Sequence, residues 1–239
     1  MNVGHRDAKG FTLIELAVAV FIIALLIGAI MVPLGTQVEQ RQISETQKTL
    51  EDARDALLGF AAANGYLPCP DVQTGAGAND GVEDVVANRC PNRVTAAGVT
   101  FSTGNLPWST LGLASQDAWG NRFRYTVVEN FARRDTPFSL STVGGLRVCR
   151  ASGCAATLTT TAVAVVISHG ANGLGAINVT TGAANIAPTS ADEVDNATPD
   201  RDAVSRDKST LAGSDFDDVV IWVPQYILGN RMISAGKLP

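Results

Sequence analysis

The sequence predicts an α+β protein in which one long amino-terminal helix packs on a small antiparallel β-sheet. Three observations carry that prediction. Phe11–Val32 is a predominantly apolar run whose only charge is Glu15. Apolar residues then recur at helical spacing to about Ala63. After Leu106, several short segments alternate apolar and polar residues with a period of two. The composition suits a folded chain: of 239 residues, 46% are hydrophobic and 17% charged, against a usual charged share of about 25%. A net charge of −5 argues against a nucleic-acid partner, which needs a basic stripe.

The amino terminus comes first. Residues 1–10 are polar, with Arg6 and Lys9 against Asp7. At 1.5 Å per residue, Phe11–Val32 covers about 33 Å as a helix, enough to cross a hydrocarbon core of about 30 Å. Cations ahead of the span predict a cytoplasmic amino terminus and a body on the far side of the bilayer. A cleaved secretory signal fits poorly, because its apolar region runs to about 7–15 residues before a small-residue cleavage site. Here Ala17-Val18-Ala19 lies in the middle of the run. A carboxylate at mid-bilayer costs about 2.5–3.5 kcal/mol, so Glu15 needs a partner, unless it reaches the interface from near the helix end.

The string Gly10-Phe11-Thr12-Leu13-Ile14-Glu15, followed by the apolar run, resembles the cleavage and methylation signature of type IV pilins and of the pseudopilins of type II secretion systems. That resemblance implies a prepilin peptidase that cuts between Gly10 and Phe11 and methylates the new amine of Phe11. It also implies that Glu15 faces that amine, in its own or a neighbouring subunit, where each charge offsets the desolvation of the other. The chain is then expected to divide into a leader (1–10), a transmembrane and assembly helix (11–34), an amphipathic helix (35–66) and a periplasmic pilin-like domain (67–239).

Beyond the apolar run, Pro33 predicts a kink or local melting of the helix. Val38, Ile43, Leu50, Ala53, Leu57 and Phe60 continue the helical spacing, with Glu39, Arg41, Glu45, Lys48, Glu51 and Arg54 between them. Asn64-Gly65 and Pro68 stop it, so an unbroken helix from Phe11 to Ala63 would be about 80 Å long. Residues 67–103, rich in Gly, Asn, Asp and Pro, are expected to form a long loop. Asp117-Ala118-Trp119-Gly120-Asn121 reads as a turn before a strand with Phe123, Tyr125 and Val127 on one face and Arg122, Arg124 and Thr126 on the other. This stretch also resembles a pseudopilin segment, with Ala118 where a proline is common. Further strands are expected at Phe138–Val143, Leu146–Cys149, Ala162–Ser168 and Val219–Val223. Thr180–Asp218 reads as an irregular acidic excursion, and Pro224 opens a short terminal helix.

The compartment that the resemblance implies permits disulfides. Four cysteines allow three pairings, and proximity along the chain favours Cys69–Cys90 and Cys149–Cys154. Asp215, Asp217 and Asp218 form a candidate Ca²⁺ cluster, since that ion takes six to eight oxygen ligands. Ser168-His169-Gly170-Ala171-Asn172-Gly173 resembles the calcium loop of major pseudopilins, with Asn172 where an aspartate is usual. The competing reading is a solvated run of acids. Ser168 and His169 are adjacent on a strand and face opposite ways, so they form no catalytic dyad. No Cys-x-x-Cys pair suggests zinc, and Gly170-x-x-Gly173-x-Gly175 is not followed by a helix start, so it does not read as a phosphate loop. No enzyme activity is expected.

The sequence thus points to a structural subunit, a minor pilin or pseudopilin of a type IV pilus or type II secretion filament. It would be held in the inner membrane with a periplasmic domain and assembled through its helix. Its implied partners are other pilin subunits, the prepilin peptidase, an inner-membrane assembly platform and the lipid bilayer. The alternative is a single-pass anchored binding module or adhesin that does not assemble.

Overall fold

The computed structural model describes residues 11–72 and 78–238, without the side chains of 29–34. It divides into two compact units, Met1–Gln42 and Ile43–Pro239. One helix, α1 (Leu13–Asn64), contributes to both. Its assignment continues through Pro33, so the expected melting there is not seen in the backbone; the Pro33 side chain lies outside the described residues. Among the described residues no helix is long and apolar enough to cross a membrane. Part of the stretch expected to do so falls within 29–34.

In the second unit, α1 presents Thr46, Leu50, Ala53, Leu57 and Ala61 on one buried stripe at three- and four-residue steps. Each buried leucine stabilises the fold by about 1.5–3 kcal/mol. The helix ends where Gly65 takes a left-handed φ of 92° and donates its N–H to the Ala61 carbonyl at 2.7 Å, a conformation that glycine reaches without strain.

Among the described residues the sheet has seven strands: β1 (Arg93–Ala96), β2 (Val99–Asn105), β3 (Arg124–Val128), β4 (Leu146–Cys149), β5 (Thr157–Ser168), β6 (Asp202–Val204) and β7 (Val219–Pro224). Their order is β1-β2-β3-β5-β4-β6, with β7 also on β5. Every pair is antiparallel except β4–β6, which is parallel. Phe123, Tyr125 and Val127 join Leu50, Leu57 and Ala61 in one core cluster. The Tyr125 hydroxyl donates to the Pro68 carbonyl at 3.1 Å, tying β3 to the segment that leaves the helix. Short helices α2 (Trp108–Leu111), α3 (Glu129–Ala132), α4 (Ala191–Ala197) and α5 (Gln225–Ser234) complete the fold.

Three sequence expectations need correction. The stretch 180–218 is not all irregular, because α4 and β6 lie within it. Residues 67–103 are not all loop, because β1 and the start of β2 form a hairpin there. Phe138–Val143 is not a strand: the Ser139 N–H donates to the Thr142 hydroxyl at 2.9 Å and the Thr142 N–H to the Ser139 carbonyl at 3.0 Å, so local hydroxyl bonding closes a turn instead. Both disulfides, Cys69–Cys90 and Cys149–Cys154, are formed. The first joins the segment that follows α1 to the one that precedes β1, and the second closes the β4–β5 connection.

Candidate functional site

Two places carry candidate chemistry, one in each unit. In the first, Thr12 is the residue before α1 and Glu15 lies in the helix's first turn. The Thr12 backbone N–H and hydroxyl both donate to Glu15 Oε2 at 2.8 Å. The Glu15 N–H donates back to Thr12 Oγ1 at 3.3 Å. This reciprocal capping box satisfies donors that a helix start leaves free. The partner that the structure gives Glu15 is therefore Thr12. Gly10, one side of the expected cut, lies outside the described residues, and Phe11 is 89% exposed. Side chains from Leu13 to Ile27 are exposed on every face of the helix. A helix apolar all round needs lipid or other helices to cover it.

In the second unit, three acids converge from separate elements. Asp217 and Asp218 immediately precede β7, and Glu193 lies in the first turn of α4. Each carboxylate commits one oxygen to a neighbour. Glu193 Oε1 accepts the Asn172 side-chain amide at 2.9 Å, Asp217 Oδ2 accepts the Asn172 N–H at 2.9 Å, and Asp218 Oδ2 accepts the Asn196 side-chain amide at 2.7 Å. The second oxygens, Glu193 Oε2, Asp217 Oδ1 and Asp218 Oδ1, are buried with no hydrogen-bond partner. Oxygens of the three acids lie within 4.8 Å of one another.

Burial pushes the Glu193 and Asp217 carboxyls up, and the neighbouring Asp218 charge pushes both further. The loop after β5 closes over the cluster because Gly170 has no side chain; a Cβ there would run into the Asp217 carboxylate. His169 is also buried with both ring nitrogens unpartnered, its Nδ1 3.7 Å from Asp218 Oδ1.

Three carboxylates this close repel unless a cation or protons stand between them. All three donors are hard oxygens, which suits Ca²⁺, with backbone carbonyls and water to complete its shell. Glu193, Asp217 and Asp218 would hold the ion. Its chemistry there would be structural: charge neutralisation that ties α4 to β7. The other close group of ligand-type atoms, Cys149, Cys154 and Asp202, does not fit a metal, because both sulfurs are spent in a disulfide.

The prokaryotic N-terminal methylation motif matches the chain over residues 5–31. That match gives the chain a prepilin-type amino terminus. No curated protein and no solved structure matches it. In general terms the motif implies a prepilin peptidase and other pilin-type subunits as partners.

Of the site residues expected from the pilin-like sequence, Asp217 and Asp218 lie in the carboxylate cluster. Asn172 braces it through its N–H and amide, while its own side-chain oxygen accepts the Leu174 N–H at 2.9 Å. Asp215 stands outside the converging oxygens and acts on Glu193 only as a neighbouring charge. Sequence reasoning missed Glu193 and Asn196. Their signal was Ser190-x-x-Glu193, the spacing of a helix start. Ser190 does cap α4, but with no side-chain bond; Glu193 turns to the acid cluster instead. Ser168 donates to Asp117 Oδ2 at 2.7 Å. That aspartate also accepts the N–H groups of Trp119 and Asn121, so it organises the turn before β3.

Proposed function

We propose that this pilin-like chain is a minor pilin or pseudopilin, cut between Gly10 and Phe11, methylated on Phe11 and held in the inner membrane by 11–34 until it joins a type IV pilus or type II secretion filament. The methylation motif at residues 5–31 carries the reading. The exposed apolar surface of α1 supports it, because sister helices or lipid must cover that surface. The domain that follows faces the periplasm and decorates the filament.

The role is structural rather than catalytic. What supports this is that Ser168 is engaged by Asp117, while His169 is enclosed beside Asp218. In assembly the Glu15 carboxylate exchanges its Thr12 contacts for the new amine of Phe11, setting the stagger between helices.

Two substitutions test the reading. Gly10→Val blocks processing, visible as retention of the leader on a high-resolution gel. Glu15→Ala leaves membrane insertion intact and lowers filament incorporation at least about tenfold, scored by crosslinking in sheared filaments. Normal processing of Gly10→Val, or normal incorporation of Glu15→Ala, contradicts the reading. An uncut, membrane-held and unassembled native chain would instead favour an anchored binding module.

A further inference from the structure

Strand β3 alternates. Tyr125 and Val127 enter the core, which places Arg124 and Thr126 on the opposite face of the sheet. Arg124 is only 9% exposed, yet among the described residues its guanidinium makes no hydrogen bond and no ion pair. The charge of Asp200 acts on it, and the Asp200 carboxylate accepts the Asp202 N–H at 2.7 Å. Between Arg124 and the acids Asp195, Asp200 and Asp202 lies a void of about 10 Å³, room for one water at most. Burial pushes the guanidinium down to about 10, so it keeps its charge at neutral pH.

On its other side Arg124 lines a groove of about 450 Å³, together with Asn92, Val94, Thr103, Ile177 and Ala197. Gly175, at a φ of 80°, lets one wall close in, since a Cβ there would press on Ala197. The Arg124 nitrogens are not sealed from solvent, so a ligand in the groove would displace water from them. A guanidinium fork fits a carboxylate through two parallel hydrogen bonds. The groove offers one cation and mostly apolar walls; of the acids behind it, Asp202 is paired with Arg147 and Arg201, which leaves Asp195 and Asp200. A polyanion would be repelled; a single carboxylate on an apolar body matches.

We propose that this groove binds an organic monocarboxylate, with Arg124 taking the carboxylate and Val94, Ile177 and Ala197 the apolar body. The site is independent of the filament reading, since it uses nothing of Met1–Gln42.

The test is calorimetric titration of the full chain in detergent with N-acetyl-leucine, using N-acetyl-leucinamide as the uncharged control. The acid binds saturably and at least about tenfold tighter than the amide. Arg124→Met weakens the acid by about tenfold or more without changing the amide, and Asp200→Asn tightens the acid severalfold by removing the competing carboxylate. Ala184→Phe, at the exposed rim of the groove, blocks binding without touching the core, so it carries the test if Arg124→Met does not fold. No saturable binding of the acid, equal binding of acid and amide, or unchanged binding in a folded Arg124→Met or Ala184→Phe variant overturns the proposal.

Discussion

Glu193, Asp217 and Asp218 each give one oxygen to a neighbour and leave the other buried and unpartnered, and each offers a carboxylate oxygen within 4.8 Å of the others. Without a cation the arrangement is a repulsive cluster, so its carboxylates oppose folding; with one it becomes a tie between α4 and β7. At a calcium concentration about a hundredfold above Kd, linkage contributes about 2.7 kcal/mol. For a chain of this size that raises Tm by about 5–10 °C, measured by thermal unfolding in calcium against chelator. Asp217→Asn or Glu193→Gln raises stability in chelator, because like-charge repulsion falls, and abolishes the calcium response. A native chain that unfolds at the same temperature in both conditions contradicts the cation reading. Asp217 and Asp218 were legible because they adjoin a short apolar run that reads as a strand. Glu193 was not, since twenty-four positions of weakly patterned chain separate it from Asp217.

Periodicity made the longest elements readable and local turn chemistry hid others. The stripe from Thr46 to Ala61 repeats at helical steps over several turns, so α1 and its end at Asn64 could be read directly. Strand β4 was legible from its alternation, and β7 and the buried half of β5 from short continuous apolar runs. The β1–β2 hairpin was not, because its turn is Ala97-Gly98, with φ of 48° and 81°. Two positive values mark the twisted two-residue turn that normally announces itself by Asn-Gly or Asp-Gly. Alanine pays steric strain there. Ala97→Asn is therefore expected to stabilise the domain by about 0.5–1 kcal/mol, measured as a higher denaturant midpoint with unchanged slope. A lower midpoint would mean that the hairpin turns another way. Helix α4 escaped because Ala191–Ala197 is polar and only one turn or two long, with tertiary contacts of Glu193 and Asn196 rather than an apolar stripe holding it.

At the scale of the molecule, the two units differ in what they need. Ile43–Pro239 buries its own core, whereas the helix in Met1–Gln42 exposes apolar residues on every face. The second unit also carries acids whose burial pushes them up. Asp71 and Asp200 both rise to about 6, with burial the largest cause for each. A carboxyl raised in the folded state holds its proton between about pH 4 and 6, where the unfolded chain has released it. Stability is then greatest at the acid end of that window and declines as pH rises to about 6. Asp135, held down to about 2 by Arg133 at the surface, does not titrate in that range. In chelator, Tm at pH 5 is expected to exceed Tm at pH 7.5, and the double variant Asp71→Asn with Asp200→Asn flattens the slope. A Tm that falls on going to pH 5 contradicts this.

The account rests on what happens at Gly10 and Phe11, and the mass of the amino-terminal peptide from membrane-extracted chain tests it most directly, with and without the host's prepilin peptidase. The account predicts a peptide that begins at Phe11 and carries one added methyl group, lost when the peptidase is absent. A peptide beginning at Met1 in both hosts would contradict it and leave the helix as an anchor alone.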